Sequence, residues 1–241
     1  MPVPPQPPTA RPLDPGVVRV WWATRRPLRE LDLTPLSAEE RARFDRLATE
    51  PARERSALAR VLVRAALADA LGAAPASFAV DWSRGPVLGA DAPWISLSHS
   101  GDRVAVALSS DAPVGVDIEE AERRLRPTVV ERITTARERT ALSALGGAGE
   151  RAALQLWTYK EAVLKATREG LSVSPHTVEV EGFDGAPRLV AHGSRPDLVG
   201  ACGLAPLRFD AGYAGSLALL APTAALPLAV DERSADDGLL R

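Results

Sequence analysis

The sequence is short of three features that would each have pointed to a particular class of protein. Cys202 is the only cysteine in 241 residues, so the chain has no internal disulfide and no cysteine-based zinc cluster. No stretch approaches the ~20 consecutive apolar residues of a membrane-spanning helix. The net charge of −2 gives no bulk attraction to nucleic acids or anionic membranes. We therefore expect a soluble, cytoplasmic protein that binds neither.

Proline and polar residues set the two ends of the chain apart from the rest. The start, MPVPPQPPTARPLDP, has neither the basic first residues nor the apolar core of a signal peptide. Because proline removes backbone donors, we predict a disordered arm over residues 1–15. The polar end predicts a flexible tail over residues 223–241. Between them, hydrophobic residues at 46% overall are ordinary for a globular protein with a sizeable core.

Helical and strand patterns fill the middle of the chain. Ser37, with Glu40 three positions later, predicts the start of a helix with a capping box. The clearest helix covers residues 51–71, with Pro51 in its first turn and Gly72 as its stop. Further helices are predicted near 134–145 and 149–168. Strands are predicted at 17–23, 78–83, 113–119, 176–181, 200–208 and 213–221, with two more within 94–110.

The order of these elements predicts an α+β fold built from two similar halves. A strand at 17–23 followed by the helix at 51–71 resembles the strand at 114–119 followed by the helix at 149–168. In each half a long amphipathic helix would pack on a small antiparallel sheet. The predicted halves are residues 16–111 and 112–222.

The stretch GVDIEE, residues 115–120, places three carboxylates within four positions. Along a strand, Asp117 and Glu119 share one face about 6.5 Å apart, whereas Ile118 and Glu120 face the other way. Such a pair can converge on Mg²⁺, which prefers oxygen ligands at about 2.0–2.1 Å. A solvated strand end is the more common explanation of an acidic pair considered by itself.

A second candidate group lies on the predicted helix LWTYKEAVLKATREGLS, residues 156–172. Glu161 and Lys165 are four positions apart and share one face. They form either an exposed pair worth about 0.2–0.5 kcal/mol or part of a site, with Glu161 as third metal ligand and Lys165 on a phosphate oxygen. The neighbouring Lys160 points away from this face, and we expect it to be exposed to solvent.

A third candidate group is SLSHSG, residues 96–101. Ser98, His99 and Ser100 precede a glycine, and a turn of this kind can present backbone N–H groups to an anion. A histidine in a tight turn is more often structural. A hydrolase with a catalytic triad would use His99, but the chain has no Gly-x-Ser-x-Gly motif to support one.

In this order, SHSG, GVDIE and WTYKEAVLK resemble the signature of the phosphopantetheinyl transferases, and the length and spacing resemble the surfactin-synthetase-activating type. The resemblance covers roughly residues 16–222. It implies a monomer whose single chain forms two similar α+β halves, a pseudo-dimer, with the site in the cleft between the halves. The implied reaction moves the 4′-phosphopantetheine arm of coenzyme A onto a serine of an apo acyl or peptidyl carrier protein, releasing adenosine 3′,5′-bisphosphate.

The resemblance also implies roles for individual residues. Asp117, Glu119 and Glu161 match the ligands of Mg²⁺, for which Mn²⁺ is an alternative. Glu161 and Lys165 match catalytic positions, and Glu161 is also a candidate base for the carrier serine. The matches to contacts with coenzyme A are Ser98, His99, Lys165, Arg43 and Ser56.

Two departures from the family pattern concern the nucleotide. Where members often have Gly-Lys-Pro, this chain has SRGPVL, so Arg84 is the expected substitute for the lysine. Glu40 stands at a position where members have a lysine that contacts the nucleotide. A carboxylate facing a phosphate is unfavourable, and we expect Glu40 to point away.

The expected partner is an apo carrier protein that docks on the segment at 121–142. Arg123, Arg124 and Arg126 suit a partner with an acidic helix, although an ordinary solvated face explains such a charge run equally well. The sequence leaves open whether fatty-acid, polyketide or nonribosomal-peptide carriers are served; the two-half type suggests secondary metabolism. Two alternatives also stay open: an Mg²⁺-dependent hydrolase of nucleotides or of the coenzyme A pyrophosphate, and a catalytically silent carrier-binding protein.

Overall fold

A computed structural model describes residues 11–83, 85–89, 92–208, 211–220, 228–236 and 238–240. The fold mixes small sheets with helices. The strands are β1 (Val17–Thr24), β2 (Trp94–Ser100), β3 (Arg103–Ser109), β4 (Val114–Glu120), β5 (Val178–Glu181), β6 (Arg188–His192), β7 (Cys202–Pro206), β8 (Tyr213–Leu220) and β9 (Ala229–Ser234). The helices are α1 (Ala38–Asp45), α2 (Glu50–Leu71), α3 (Pro127–Ile133), α4 (Ala136–Ala144) and α5 (Gly149–Ala166).

The first sheet carries the long helix α2. Its strand order is β2-β3-β1-β9, in which β1 and β3 are antiparallel and β1 and β9 are parallel. Leu58, Leu62 and Leu67 of α2 are fully buried and pack with Val104 and Val106 of β3. Because β9 runs parallel to β1, this sheet differs from the purely antiparallel one predicted for the first half.

The second sheet, β4-β8-β7, is antiparallel and carries α5. The helix approaches β4 so closely at Gly115 that a Cβ atom there would lie 1.8 Å from the carbonyl oxygen of Ala162. Only glycine permits this contact. It brings the polar residues of α5 next to those that follow Gly115 on β4. A separate hairpin, β5-β6, completes the fold.

The predicted starts of α1 and α2 and the predicted end of α2 are confirmed. Ser37 accepts from the backbone N–H of Glu40 at 3.2 Å, and the Glu40 carboxylate accepts from the backbone N–H of Ser37 at 2.8 Å, which completes the capping box. Pro51 lies in the first turn of α2, and Gly72 ends that helix in the left-handed conformation at φ 66°. Capping chemistry is local, and the sequence therefore predicts it well.

The predicted tail is wrong where the structure describes it. Residues 229–234 form β9 and pair with β1 over six positions, from Val17 opposite Ala229 to Trp22 opposite Ser234. The chain therefore returns from its second half to complete the sheet of its first half.

The predicted disordered arm at residues 1–15 is also wrong where the structure describes it. Residues 1–10 lie outside the described part of the chain, but Arg11 is held in place. Its backbone N–H donates to the Asp69 carbonyl at 2.8 Å, and its own carbonyl accepts from Arg19 Nη1 at 2.6 Å. Residues 11–15 are thus not a free arm.

Other elements differ from prediction because tertiary partners decide them. The predicted strand at 78–83 is irregular, with isolated bridges at Asp81 and Ser83. Strand β6 and helix α3 were not predicted. Within the described residues, no helix has the length and apolar character needed to cross a membrane.

Candidate active site

Two carboxylates of β4 form the floor of the candidate site. Asp117 and Glu119 alternate with Ile118, whose side chain packs in the core on the other face of the strand. Asp117 is 6% exposed and Glu119 is 9% exposed, whereas Glu120 is exposed. Two carboxylates that are both buried need partners, so a solvated strand end does not describe this pair.

Lys165 of α5 is the cation that reaches Asp117. Its Nζ donates to Asp117 Oδ1 at 2.7 Å, to Ser98 Oγ at 2.8 Å and to the carbonyl of Val116 at 3.0 Å. Ser98 in turn donates to the same Asp117 Oδ1 at 2.8 Å. The predicted pieces on β2, β4 and α5 therefore meet in one hydrogen-bonded network.

Two carboxylate oxygens at this junction are buried without a hydrogen-bond partner, Asp117 Oδ2 and Glu161 Oε1. Burial raises the pKa of Asp117 above its ordinary value, although Lys165 and Ser98 oppose that effect. Burial also raises the pKa of Glu161, and the negative charge of Asp117 adds to the rise. Buried oxygens left unpartnered are costly and are found mainly where a site has another use for them.

Both carboxylate oxygens of Glu119 have partners within the protein. Ser100 donates to its Oε2 at 2.7 Å, and Arg123 forms an ion pair with its Oε1. Among the described residues, no group of three Asp, Glu, His or Cys side chains is arranged to hold a metal ion. With Lys165 on Asp117 and Arg123 on Glu119, the three-carboxylate ligand set stays a prediction.

The SHSG segment is strand, not turn. Ser98, His99 and Ser100 belong to β2, and the chain reverses at Gly101, which has φ 51°. The backbone of His99 lies opposite Val104 in the sheet. Its N–H groups therefore do not form the anion-binding turn that the motif suggested.

Cations nevertheless surround the exposed His99. Partial desolvation, together with the charges of Arg55 and Lys165, lowers the pKa of His99 and favours its neutral form. Arg55 of α2 donates to the carbonyl of Gly101 at 3.4 Å. Arg55 was missed by the sequence reasoning. Its position next to Ser56 at the start of the long helix was the available signal.

The other residues predicted to contact the nucleotide lie around the start of α2. Ser56 Oγ accepts from Arg60 at 2.6 Å, and Arg43 donates to the carbonyl of Trp82 at 3.3 Å. Arg84 lies outside the described residues. Glu40 points away from this surface, as expected: it is buried and accepts from Arg64 at 2.8 Å.

The prediction for Lys160 is wrong. The side chain is fully buried and donates to Glu138 Oε2 at 2.6 Å, to the Ile133 carbonyl at 2.6 Å and to the Pro175 carbonyl at 3.1 Å. Helical spacing correctly placed Lys160 off the Glu161 face. It could not show that the opposite face meets α4.

The three arginines predicted to dock a carrier are exposed. Arg123 reaches back to Glu119, Arg124 pairs with Glu150 at 2.9 Å, and Arg126 precedes the first turn of α3. A cavity of about 260 Å³ lies beside Lys165 and is lined in part by Pro86, Leu97 and Leu164. Neither this cavity nor three larger ones elsewhere are lined by Asp117, Glu119 or Glu161.

The comparisons with known proteins concern the same part of the chain. Residues 113–200 match the family model of the 4′-phosphopantetheinyl transferase superfamily. This range contains Asp117 and Glu119 together with Glu161 and Lys165.

Related proteins carry corresponding names. The chain is 31% identical to a Synechocystis protein named "Putative 4′-phosphopantetheinyl transferase", over 68% of this chain and 64% of that protein. It is 33% identical to the 4′-phosphopantetheinyl transferase HetI of Nostoc, over 57% of this chain and 61% of that protein. The matched part spans less than two thirds of each relative's length.

One solved structure is also similar. The crystal structure of Thermotoga maritima holo-[acyl-carrier-protein] synthase matches with 26% sequence identity and a TM-score of 0.39. The match covers 46% of this chain and 63% of that one.

Proposed function

We propose that this chain is a 4′-phosphopantetheinyl transferase that moves the arm of coenzyme A onto a serine of an apo carrier protein. The observation that carries the proposal is the junction of β2, β4 and α5. There Lys165 neutralises one oxygen of Asp117, while Asp117 Oδ2 and Glu161 Oε1 stay buried and unpartnered. This junction lies within the range that matches the family model, apart from Ser98.

The donor set fits a hard divalent cation. Asp117, Glu119 and Glu161 supply only carboxylate oxygens, which Mg²⁺ and Mn²⁺ prefer, and two of those oxygens have no other partner. Bound there, Mg²⁺ would offset the charge of the coenzyme A pyrophosphate. Glu119 would join the set when Arg123 leaves its Oε1.

The reaction needs a proton acceptor and a fixed positive charge. The carrier serine oxygen attacks the phosphorus of the pantetheine phosphate, and the bond from that phosphorus to the bridging oxygen breaks. Adenosine 3′,5′-bisphosphate leaves with the bond's electron pair, and the serine proton passes to the Glu161 carboxylate. The Glu161 carboxylate is suited to this role because its Oε1 has no hydrogen-bond partner in the protein. Lys165 stabilises the charge that develops on the phosphoryl oxygens.

The nucleotide part of coenzyme A would lie along the start of α2. His99, Arg43 and Ser56 border this surface, and Arg55 adds a cation next to His99. We propose that Arg55 contacts the 3′-phosphate. Arg84 stays a prediction.

The finer assignments rest on the arrangement of the site within one chain. β2 and α2 come from the first predicted half and β4 and α5 from the second, which favours the two-half type acting as a monomer. Arg123, Arg124 and Arg126 are proposed to meet an acidic carrier helix. A role in polyketide or nonribosomal-peptide biosynthesis and a cytoplasmic location stay predictions.

The decisive experiment is mass spectrometry of a panel of apo carrier proteins after incubation with coenzyme A, Mg²⁺ and this protein. We expect a mass gain equal to the phosphopantetheine arm, and none when the carrier serine is replaced by alanine. Release of adenosine 3′,5′-bisphosphate without a carrier would favour the hydrolase instead. Carrier binding without either product would favour the silent binding protein.

A further inference from the structure

The two main sheets meet edge to edge through side chains. β2 is the edge strand of the first sheet and pairs with β3, while β4 is the edge strand of the second and pairs with β8. Three serine hydroxyls of β2 accept hydrogen bonds from backbone N–H groups of β4. We call Ser96, Ser98 and Ser100 the serine ladder.

The serine ladder is regular. Its hydrogen bonds run from Val116 N to Ser96 Oγ at 3.0 Å, from Ile118 N to Ser98 Oγ at 3.4 Å and from Glu120 N to Ser100 Oγ at 3.2 Å. Alternate residues of a strand point to the same face, so three serines at every second position can serve three N–H groups at every second position. The hydroxyls thus replace the carbonyls that a backbone-paired neighbour would offer.

Two serines of the ladder, Ser98 and Ser100, also donate a hydrogen bond to a carboxylate. Ser98 accepts from the N–H of Ile118 and donates to Asp117 Oδ1 at 2.8 Å. Ser100 accepts from the N–H of Glu120 and donates to Glu119 Oε2 at 2.7 Å. A hydroxyl has a single proton. Its acceptance from the backbone fixes the oxygen, and its donation then fixes one oxygen of the preceding carboxylate.

The first rung lacks this second function. Ser96 accepts from Val116, and the residue before Val116 is Gly115, which has no carboxylate. Ser96 therefore serves the strand edge alone. The chain itself contains the comparison between a serine that only joins the sheets and serines that also hold a carboxylate.

We infer that Ser98 and Ser100 are positioning residues, which orient Asp117 and Glu119 toward a shared divalent cation. This inference rests on the proposed function. Each serine holds one oxygen of its carboxylate from the β2 side, so the other oxygen is directed away from β2. For Asp117 that other oxygen is the unpartnered Oδ2. Partners that orient metal ligands in this way typically change metal affinity about 10- to 100-fold when removed.

The test compares four full-length proteins: wild type, Ser100→Ala, Ser100→Thr and Ser96→Ala. Ser100 is chosen because its hydroxyl contacts Glu119 and the N–H of Glu120, whereas the hydroxyl of Ser98 also accepts from Lys165. Mn²⁺ binding is measured by electron paramagnetic resonance in the presence of coenzyme A. The Mg²⁺ concentration for half-maximal arm transfer and the melting temperature are measured in parallel.

We expect Ser100→Ala to weaken Mn²⁺ binding about 10-fold and to raise the required Mg²⁺ similarly. Ser100→Thr retains a hydroxyl and should bind Mn²⁺ within about 3-fold of wild type. Ser96→Ala loses one strand-edge hydrogen bond, so it should lower the melting temperature as Ser100→Ala does, with Mn²⁺ affinity unchanged.

Equal Mn²⁺ affinity in Ser100→Ala and wild type would overturn the positioning role, as would equal weakening by Ser96→Ala. A wild-type protein that binds no Mn²⁺ would overturn it as well. Failure of the proposed function is a separate outcome. If wild type transfers no arm but Ser100→Ala still weakens Mn²⁺ binding, the positioning role holds and the transferase assignment falls.

Discussion

Lys160 and Lys165 lie on the same helix, and each forms an ion pair with one carboxylate, yet their surroundings differ. The Lys160–Glu138 pair is closed: the side chains are 0% and 2% exposed. Glu138 also accepts from the backbone N–H groups of Val180 and Thr135. The Lys165–Asp117 pair is open: Lys165 is 29% exposed, and Asp117 keeps an unpartnered oxygen.

The difference separates a structural ion pair from a site. A closed pair has every donor and acceptor satisfied and holds α5 against α4 and the hairpin. An open pair leaves buried charge that folding alone does not use. Four substitutions test this comparison, from the largest expected effect to the smallest.

Glu161→Gln should have the largest effect, because it removes the proposed base and metal ligand while keeping the shape of the side chain. We expect the rate of arm transfer to fall about 10³-fold, with the melting temperature unchanged or slightly raised. Mass spectrometry of an apo carrier over time measures the rate. Arg151→Gln, at an exposed position on the same helix, is the control. Transfer at the wild-type rate by Glu161→Gln would contradict the site.

Lys160→Met should break the closed pair and leave the Glu138 carboxylate buried without its cation. We expect the free energy of unfolding to fall by about 3 kcal/mol, measured by urea denaturation. The double variant Lys160→Met/Glu138→Leu should recover most of that loss, because neither charge remains buried. If the double variant is no more stable than Lys160→Met, the unpaired Glu138 carboxylate is not the source of the lost stability.

Lys165→Met should show the reverse pattern, with activity affected more than stability. We expect arm transfer to fall about 10²-fold through loss of a positive charge at the phosphoryl group. Stability should change less than in Lys160→Met, because Lys165 is partly exposed. Stopped assays over a range of coenzyme A concentrations separate kcat from KM. A loss of stability equal to that of Lys160→Met would remove the distinction between the two pairs.

Asp117→Asn should change the free energy of unfolding by less than Lys160→Met does, and the sign of the change tests the open pair. The folded protein raises the pKa of Asp117 above the unfolded value of ~3.9, so this group's contribution to stability is lost as pH rises through the raised pKa. Asp117→Asn removes that loss. We expect the free energy of unfolding of the variant at pH 7 to be about 1 kcal/mol higher than that of wild type. Denaturation at pH 4 and pH 7 measures it. A less stable variant at pH 7 would mean that Asp117 is held as firmly as Glu138.

The sequence predicted those parts of the fold and site that depend on near neighbours. Ser37 and Glu40, or Pro51 and Gly72, act within one helix turn of each other, and the structure has them as predicted. The period of two placed Asp117 and Glu119 on one face, away from Ile118. Such patterns are readable because backbone geometry alone decides them.

The remainder depends on partners that are distant in sequence. Lys160 is buried because its ammonium group donates hydrogen bonds to Glu138 and to two backbone carbonyls on other parts of the chain. Trp82, in the predicted strand at 78–83, instead donates to Glu40 at 2.9 Å. Ser100 was visible in the SHSG motif, but its acceptor on β4 was not. Arg55 was overlooked because a charged residue on a long helix is usually exposed surface.

Strand β9 affects how the protein reaches its native state during synthesis. Arg19 of β1 lies opposite Asp231, 212 positions later, so β1 has no β9 neighbour until residues 229–234 have left the ribosome. Until then one edge of a strand containing Val18, Val20 and Trp21 is open to pairing with other chains. Such a long separation also slows folding, because closing the loop costs entropy before any contact rewards it. The yield of folded protein on expression should therefore be more sensitive to substitutions in residues 229–234 than their half-buried, charged character suggests.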